Sequence, residues 1–204
     1  MALAGKTKQD IVSEFRRAEI LAVARTVFAA KGFNDATVDE IAQAAGIAKG
    51  TVYSYYTSKR EIYLAALLEG HADLRARTRV AMEEASGIHA KLHAFIKLRL
   101  QYAEDNRDFI RIYHAEFGNL TNGAASDGQV QEVYLEQARY LESVLRDAIA
   151  AGEIRATHPE PLAFLIYDMV RSVLTQRTLG WSKNTMEDDL NLLSNLIWNG
   201  VAPR

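Results

Sequence analysis

The chain has 204 residues, 49% hydrophobic and 25% charged, with three prolines and a net charge of −2, a profile that fits a folded protein holding one large domain or a small one joined to a larger. It contains no cysteine, which excludes disulfides, thiolate catalysis and Cys-ligated zinc, and no apolar run approaches the ~18 residues needed to span a bilayer. Charge is unevenly placed. Through Arg60, Lys and Arg outnumber Asp and Glu by 9 to 6, and beyond it they are outnumbered 15 to 20, so a basic head sits on an acidic body. Residues 1–9 hold no apolar segment of the secretory kind, so no signal peptide is expected and a cytoplasmic location is.

In chain order every predicted element is helical. The first helix is predicted over residues 9–31, with Ile20, Ala24, Val27 and Phe28 on one stripe, and Gly32 stops it. Thr37-Val38-Asp39-Glu40 is a capping box opening a short helix over 38–45, which Gly46 ends. A third helix is predicted over 49–55. Ser58-Lys59-Arg60-Glu61 is a second capping box that opens a fourth, to about residue 85. A fifth helix is expected over 88–106 and a sixth over 108–117, followed by a polar, Gly-containing loop at 118–127. A seventh runs over 128–151. Thr157-His158-Pro159-Glu160 starts an eighth that ends near Gly180, and Thr185 caps a ninth reaching Trp198.

Two short helices joined through Gly46 and preceded by a longer one form the helix-turn-helix pattern. On a wheel of 100° per residue, Val52 and Tyr56 of the third helix face inward toward Ile41, Ala45 and Ile47. Gly50, Thr51 and Ser54 lie on the opposite side, with Lys49 at the N-terminal end and Tyr53 and Tyr55 on the flanks. A small, polar outer face bordered by hydroxyls and lysines suits the major groove. Gly50 costs about 1 kcal/mol inside a helix, and close approach to DNA accounts for it. Taken alone, this segment is better read as a solvated turn between packing helices, because an isolated helix-turn-helix match is weak.

The wider stretch, residues 20–68, closely resembles the DNA-binding domain of the TetR (tetracycline repressor) family. The likeness rests on Ala24, Phe28, Gly32 and Phe33, then on Thr37-Val38, Ile41-Ala42 and Ala45-Gly46. It continues through Gly50-Thr51-Val52-Tyr53, Tyr55-Tyr56, Lys59 and Leu64. It departs at Ala48, where the family often has a capping Ser, and at Tyr56, where Phe is common. The resemblance implies an all-α fold of about nine helices: a three-helix helix-turn-helix domain over 1–60, then a helical effector-binding and dimerisation domain over 61–204. It further implies that Lys49, Gly50, Thr51 and Ser54 lie nearest base edges, while Thr37, Tyr53, Tyr55 and Lys59 hold phosphates. Lys59 also sits in the first turn of the fourth helix, whose amides favour an anion.

In the body, Arg99, Tyr102, Phe109, Tyr113, His114, Phe117 and Tyr134 are candidates to line an effector cavity, and a plain aromatic core is the competing reading. On the eighth helix Asp168, Arg171, Ser172, Thr175 and Gln176 interrupt an apolar run; buried, they need partners from an effector or from a second subunit. Leu190, Leu193 and Ile197 recur at helical spacing on the ninth, which suits half of a four-helix dimer interface, with packing inside the chain as the ordinary alternative. His89 and His93 lack a third ligand, there is no Glu-x-x-His, phosphate-binding glycine loop or serine elbow, and no enzyme is expected. The expectation is a homodimer that binds a palindromic double-stranded operator, is released by a small-molecule effector, needs no cofactor or metal and does not engage a membrane. An effector-independent architectural DNA binder and a transcriptional activator are the alternatives.

Overall fold

The computed structural model describes residues 7–120 and 128–203, with side chains omitted for 117–120. The described residues form nine α-helices and no strand: α1 (Lys8–Asp35), α2 (Val38–Ala44), α3 (Lys49–Tyr53), α4 (Lys59–Glu84), α5 (Gly87–Asp105), α6 (Arg107–Leu120), α7 (Gly128–Ala150), α8 (Pro159–Thr178) and α9 (Met186–Val201).

Local chemistry sets most boundaries. Gly32, at φ 76°, breaks the helical path of α1, and one irregular turn carries the chain on to Asp35. The Thr37 hydroxyl accepts from the Glu40 amide at 3.2 Å while the Glu40 carboxylate accepts from the Thr37 amide at 3.0 Å, a complete capping box. Gly46, at φ 66°, ends α2 in a Schellman turn: its amide donates to Gln43 at 3.1 Å and the Ile47 amide to Ala42 at 3.0 Å. The second expected box forms only by half. Ser58 caps the Glu61 amide, but the Glu61 carboxylate turns to the amide and hydroxyl of Thr57 instead. α3 is two residues shorter than expected and has no side-chain cap at Ala48. α6 runs through Gly118 to Leu120, where a loop was expected, since a glycine costs a helix only about 1 kcal/mol and no proline follows. Residues 121–127 of that expected loop lie outside the described residues.

Two cores result. The first joins Ile20, Ala24 and Phe28 of α1 to Ile41, Val52, Tyr56 and the first half of α4, and continues into Tyr102, Phe109 and Tyr113. The second is built from α5, α7, α8 and α9 around Phe95, Leu141, Leu145, Ile166 and Leu193. α4 is common to both sides, contacting α1, α5, α6 and α7.

Candidate functional site

In the head, burial sorts α3 as the wheel requires. Val52 is 0% exposed and Tyr56 3%, whereas Gly50, Thr51 and Ser54 are exposed and Tyr53 is 45% exposed. A Cβ added at Gly50 would meet nothing within 4 Å, so nothing inside the chain requires glycine there. Tyr55 is half-buried, with the Arg17 guanidinium 5.6 Å from its ring centre. Thr37 is exposed; its hydroxyl caps α2 as an acceptor, and after Lys31 its amide and its hydroxyl hydrogen help hold the Glu40 carboxyl below the usual carboxylate range.

Three expected contacts carry internal bonds as well. The Ser54 hydroxyl donates to the Thr51 carbonyl at 2.6 Å. Lys49 Nζ pairs with Asp39 of α2 at 2.7 Å, and that hydrogen bond holds its pKa above the ordinary lysine value. Lys59 Nζ donates to the carbonyls of Asn34 (3.0 Å) and Ala36 (2.8 Å) and lies 4.7 Å from the Phe33 ring centre. It thus closes the C-terminal end of α1, a role that sequence reasoning missed.

The body residues expected to surround an effector divide into three groups. Arg99 and Tyr113 are both buried in the interior. Arg99 is 5% exposed, donates to Gln137 Oε1 at 2.6 Å and to the Tyr167 hydroxyl at 3.4 Å, and lies 4.5 Å from the ring centres of Phe95 and Tyr167. Gln137 Nε2 lies 3.1 Å from Nδ1 of His71 on α4, whose ring packs edge-on against Phe109 and Tyr113. Because Gln137 Oε1 already accepts from Arg99 and from the Tyr167 hydroxyl at 3.0 Å, its amide nitrogen must be the donor to His71. Nδ1 is then the acceptor and the imidazole is neutral. Burial, reinforced by Arg99 and Arg75, lowers the His71 pKa to about 3.

Tyr134, Asp168 and Arg171 form a second group nearer the surface: the Tyr134 hydroxyl and Arg171 Nε each lie 3.1 Å from Asp168 Oδ1. His114 lies beside them, half-buried, with burial and Arg171 lowering its pKa to about 4. Tyr102 and Phe109 instead support α4. The Tyr102 hydroxyl donates to the Gly70 carbonyl at 3.1 Å, and a Cβ on Gly70 would lie 2.2 Å from the Phe109 ring.

Ser172 and Gln176 belong to none of the three groups. Both are exposed in the single chain, on the stripe of α8 that carries Leu165 (62% exposed) and Leu179 (52%), so of the two partners expected for them this face points to a second subunit rather than to the interior. The side chain of Phe117 lies outside the described residues. His71, Gln137 and Tyr167 were missed. Their signal is a polar group on an otherwise apolar stripe, as with Gln137 among Val130, Tyr134, Leu141 and Leu145. A cleft of about 170 Å³ elsewhere, lined by Glu104, Arg107, Arg111 and Arg177 among others, takes in none of the expected effector residues. His89 packs edge-on against Trp198 at 4.5 Å, and no group of three or more metal-ligating side chains occurs among the described residues. No helix of the described residues is long and apolar enough to cross a membrane.

A glycine turn between α2 and α3, a buried inner face on α3 and an open outer one define a helix-turn-helix DNA-binding head on a helical body. Residues 20–66 match the family model described as "Bacterial regulatory proteins, tetR family", and residues 85–175 match "Tetracyclin repressor-like, C-terminal domain". The HTH-type transcriptional regulator SrpR of Pseudomonas putida is 30% identical over 158 residues, covering 74% of this chain and 68% of that protein. The HTH-type transcriptional repressor KstR2 of Mycolicibacterium smegmatis is 27% identical over 168 residues, covering 82% and 80%. Among solved structures, FadR from Bacillus subtilis in complex with stearoyl-CoA superposes with a TM-score of 0.80 at 20% identity, covering 90% of this chain and 98% of that one. The chain belongs to the TetR family of helix-turn-helix transcriptional regulators.

Proposed function

We propose that the chain is a homodimeric repressor that binds a palindromic operator through α3 and is released by a small-molecule effector held in the body. The observation carrying this reading is the open outer face of α3, where Gly50, Thr51 and Ser54 are exposed while Val52 anchors the helix from behind. In this reading residues 1–60 are the DNA-binding unit and 61–204 the effector and dimerisation unit. Lys49, Gly50, Thr51 and Ser54 face base edges, and Thr37, Tyr53, Tyr55 and Lys59 face phosphates. The function needs no catalytic step, and the protein works in the cytoplasm, where its operator is.

Leu190, Leu193 and Ile197, the α9 face expected at the interface, are buried in the chain's own core, and dimerisation through α8 and α9 is supported instead by exposed apolar side chains on and between these helices. Leu165, Leu179, Leu192 and Leu196 are each about half exposed or more, and Trp181 is 72% exposed. Such a surface is costly to leave in water, and joining it to its own copy forms a four-helix interface. Release by an effector is supported by KstR2 being named a repressor and by the FadR structure containing stearoyl-CoA. An acyl thioester of that kind is one candidate for the ligand class here.

The test is selection of an operator from random duplexes, followed by footprinting and light scattering of the complex. The expected result is a two-fold symmetric site protected by a dimer, with half-sites one helical turn apart or a multiple of it. Binding to every duplex alike, or a monomer bound to an asymmetric site, overturns the proposal. Transcription rising on occupancy of the site would make the protein an activator.

A further inference from the structure

We propose that the Arg99–Gln137–His71 cluster receives the carboxylate of an otherwise apolar effector, and that His71 passes the event to α4. This rests on the reading of the body as an effector domain.

The first argument is charge. Arg99 is 5% exposed, and no Asp or Glu among the described residues forms an ion pair with it. Its bonded partners, the Gln137 amide and the Tyr167 hydroxyl, are neutral, and the rings of Phe95 and Tyr167 flank it. A guanidinium taken from water without a counter-charge carries a penalty of several kcal/mol, which an anion in the same low-dielectric place offsets. The second argument is hydrogen-bond supply. Arg99 Nε and His71 Nε2 are both buried without a partner, and since His71 accepts at Nδ1, its Nε2 carries a hydrogen. Two donors and one positive charge thus stand unanswered within one cluster. A carboxylate accepts on two oxygens and carries one charge, so it balances both. A phosphate dianion would leave a buried negative charge in turn.

The apolar character of the rest of the ligand follows from the surroundings, where the rings of Phe95, Phe109 and Tyr113 are buried. His114 and the Tyr134–Asp168–Arg171 group extend from this interior toward the surface between α6, α7 and α8.

The coupling follows from Gln137. Its oxygen accepts from Arg99 and Tyr167 and its nitrogen donates to His71 Nδ1, which leaves His71 Nε2 as a donor, so a carboxylate accepting from Nε2 bonds α4 directly. Next to His71, Gly70 has no room for even a methyl group against Phe109, so α4 is closely held there. α4 begins at Lys59, which closes α1 of the head.

The experiment uses the full chain and matched probes: straight-chain acids of six to sixteen carbons and aryl-alkanoic acids, each beside its methyl ester, together with acyl-CoA thioesters. Binding is read by thermal shift and calorimetry, and release by fluorescence anisotropy on the selected operator. At least one acid is expected to bind tenfold or more tighter than its own ester and to release DNA. Arg99→Met is expected to abolish that preference and Arg99→Lys to keep part of it. Gln137→Glu supplies the missing carboxylate internally; it is expected to raise the melting temperature and to exclude the acid, a readout that holds even where Arg99→Met fails to fold. The inference is overturned by no acid exceeding its ester, by an unchanged acid preference in folded Arg99→Met, or by acid binding unaffected by Gln137→Glu. A thioester that releases DNA regardless of Arg99 overturns it while leaving the repressor reading intact; absence of any operator complex defeats that reading instead.

Discussion

The ammonium of Lys59 lies 2.8 Å from the carbonyl oxygen of Ala36, tying the start of α4 to the end of α1. With Asn34 also bonded and Phe33 beneath, one N–H of Lys59 is left for a DNA phosphate. Lys59→Met should therefore have two separable effects. Loss of charged hydrogen bonds to carbonyls should lower stability by about 1–3 kcal/mol, read by urea denaturation. Loss of a phosphate contact in each head should reduce the salt slope of DNA binding by about two per dimer, on operator and scrambled duplex alike. Reduced stability with an unchanged slope would leave Lys59 a structural residue alone.

Asp39 restrains Lys49 on the face offered to DNA, and both side chains are largely exposed. An exposed pair contributes little to stability, but its carboxylate repels phosphate and occupies the lysine. Asp39→Asn is expected to leave the melting temperature nearly unchanged and to strengthen binding to scrambled duplex by roughly three- to tenfold, more at low salt. Operator selectivity should fall accordingly. Titrations of both duplexes across salt concentration check this, and unchanged affinity for scrambled DNA would show that Asp39 does not restrain the head.

The features legible in the sequence are those decided within one or two helical turns. The Thr37–Glu40 box and the Gly46 turn needed only neighbouring backbone groups, and both form as expected. Ser58–Glu61 completes only by half because Thr57, one residue upstream, offers Glu61 two donors instead of one. The inner and outer faces of α3 were legible because Val52 and Tyr56 fix the helix's rotation. The interior of the body was not. Whether Ser172 and Gln176 meet an effector or a second subunit was open in the sequence, since which side of α8 the chain itself covers depends on α5, α7 and α9. Likewise, Gln137 gains its meaning only when Arg99 and His71 arrive from two other helices.

Gly50→Ala should separate folding from binding. The site is helical, exposed and open around the missing Cβ, so alanine should stabilise the head by up to about 1 kcal/mol through helix propensity. The same methyl projects from the face assigned to base edges. Operator affinity is expected to fall by about 1–3 kcal/mol, with a smaller change on scrambled duplex. A variant that is more stable and binds its operator as well as the wild type would mean that DNA does not approach this face closely.

The buried imidazole of His71 should make stability depend on pH. Its folded pKa is lowered to about 3, mainly by burial and then by Arg99 and Arg75. In the unfolded chain it returns to about 6.5. Between these values the unfolded state binds the extra proton, so unfolding becomes easier as pH falls; the stabilisation is complete above about pH 6.5 and is lost progressively toward pH 3. From His71 alone the loss at pH 5 is about 2 kcal/mol. His114, lowered to about 4, acts in the same direction. Urea denaturation between pH 7.5 and pH 5 isolates this window from most carboxylate titration. His71→Asn keeps an acceptor oxygen for Gln137 and removes the titrating group, so it should be less stable than wild type at neutral pH yet show a shallower decline. His71→Asn with His114→Asn should be flatter still. A wild-type decline reproduced in full by His71→Asn would mean that His71 is not held neutral, and with it the assignment of Gln137 as donor to Nδ1 would fall.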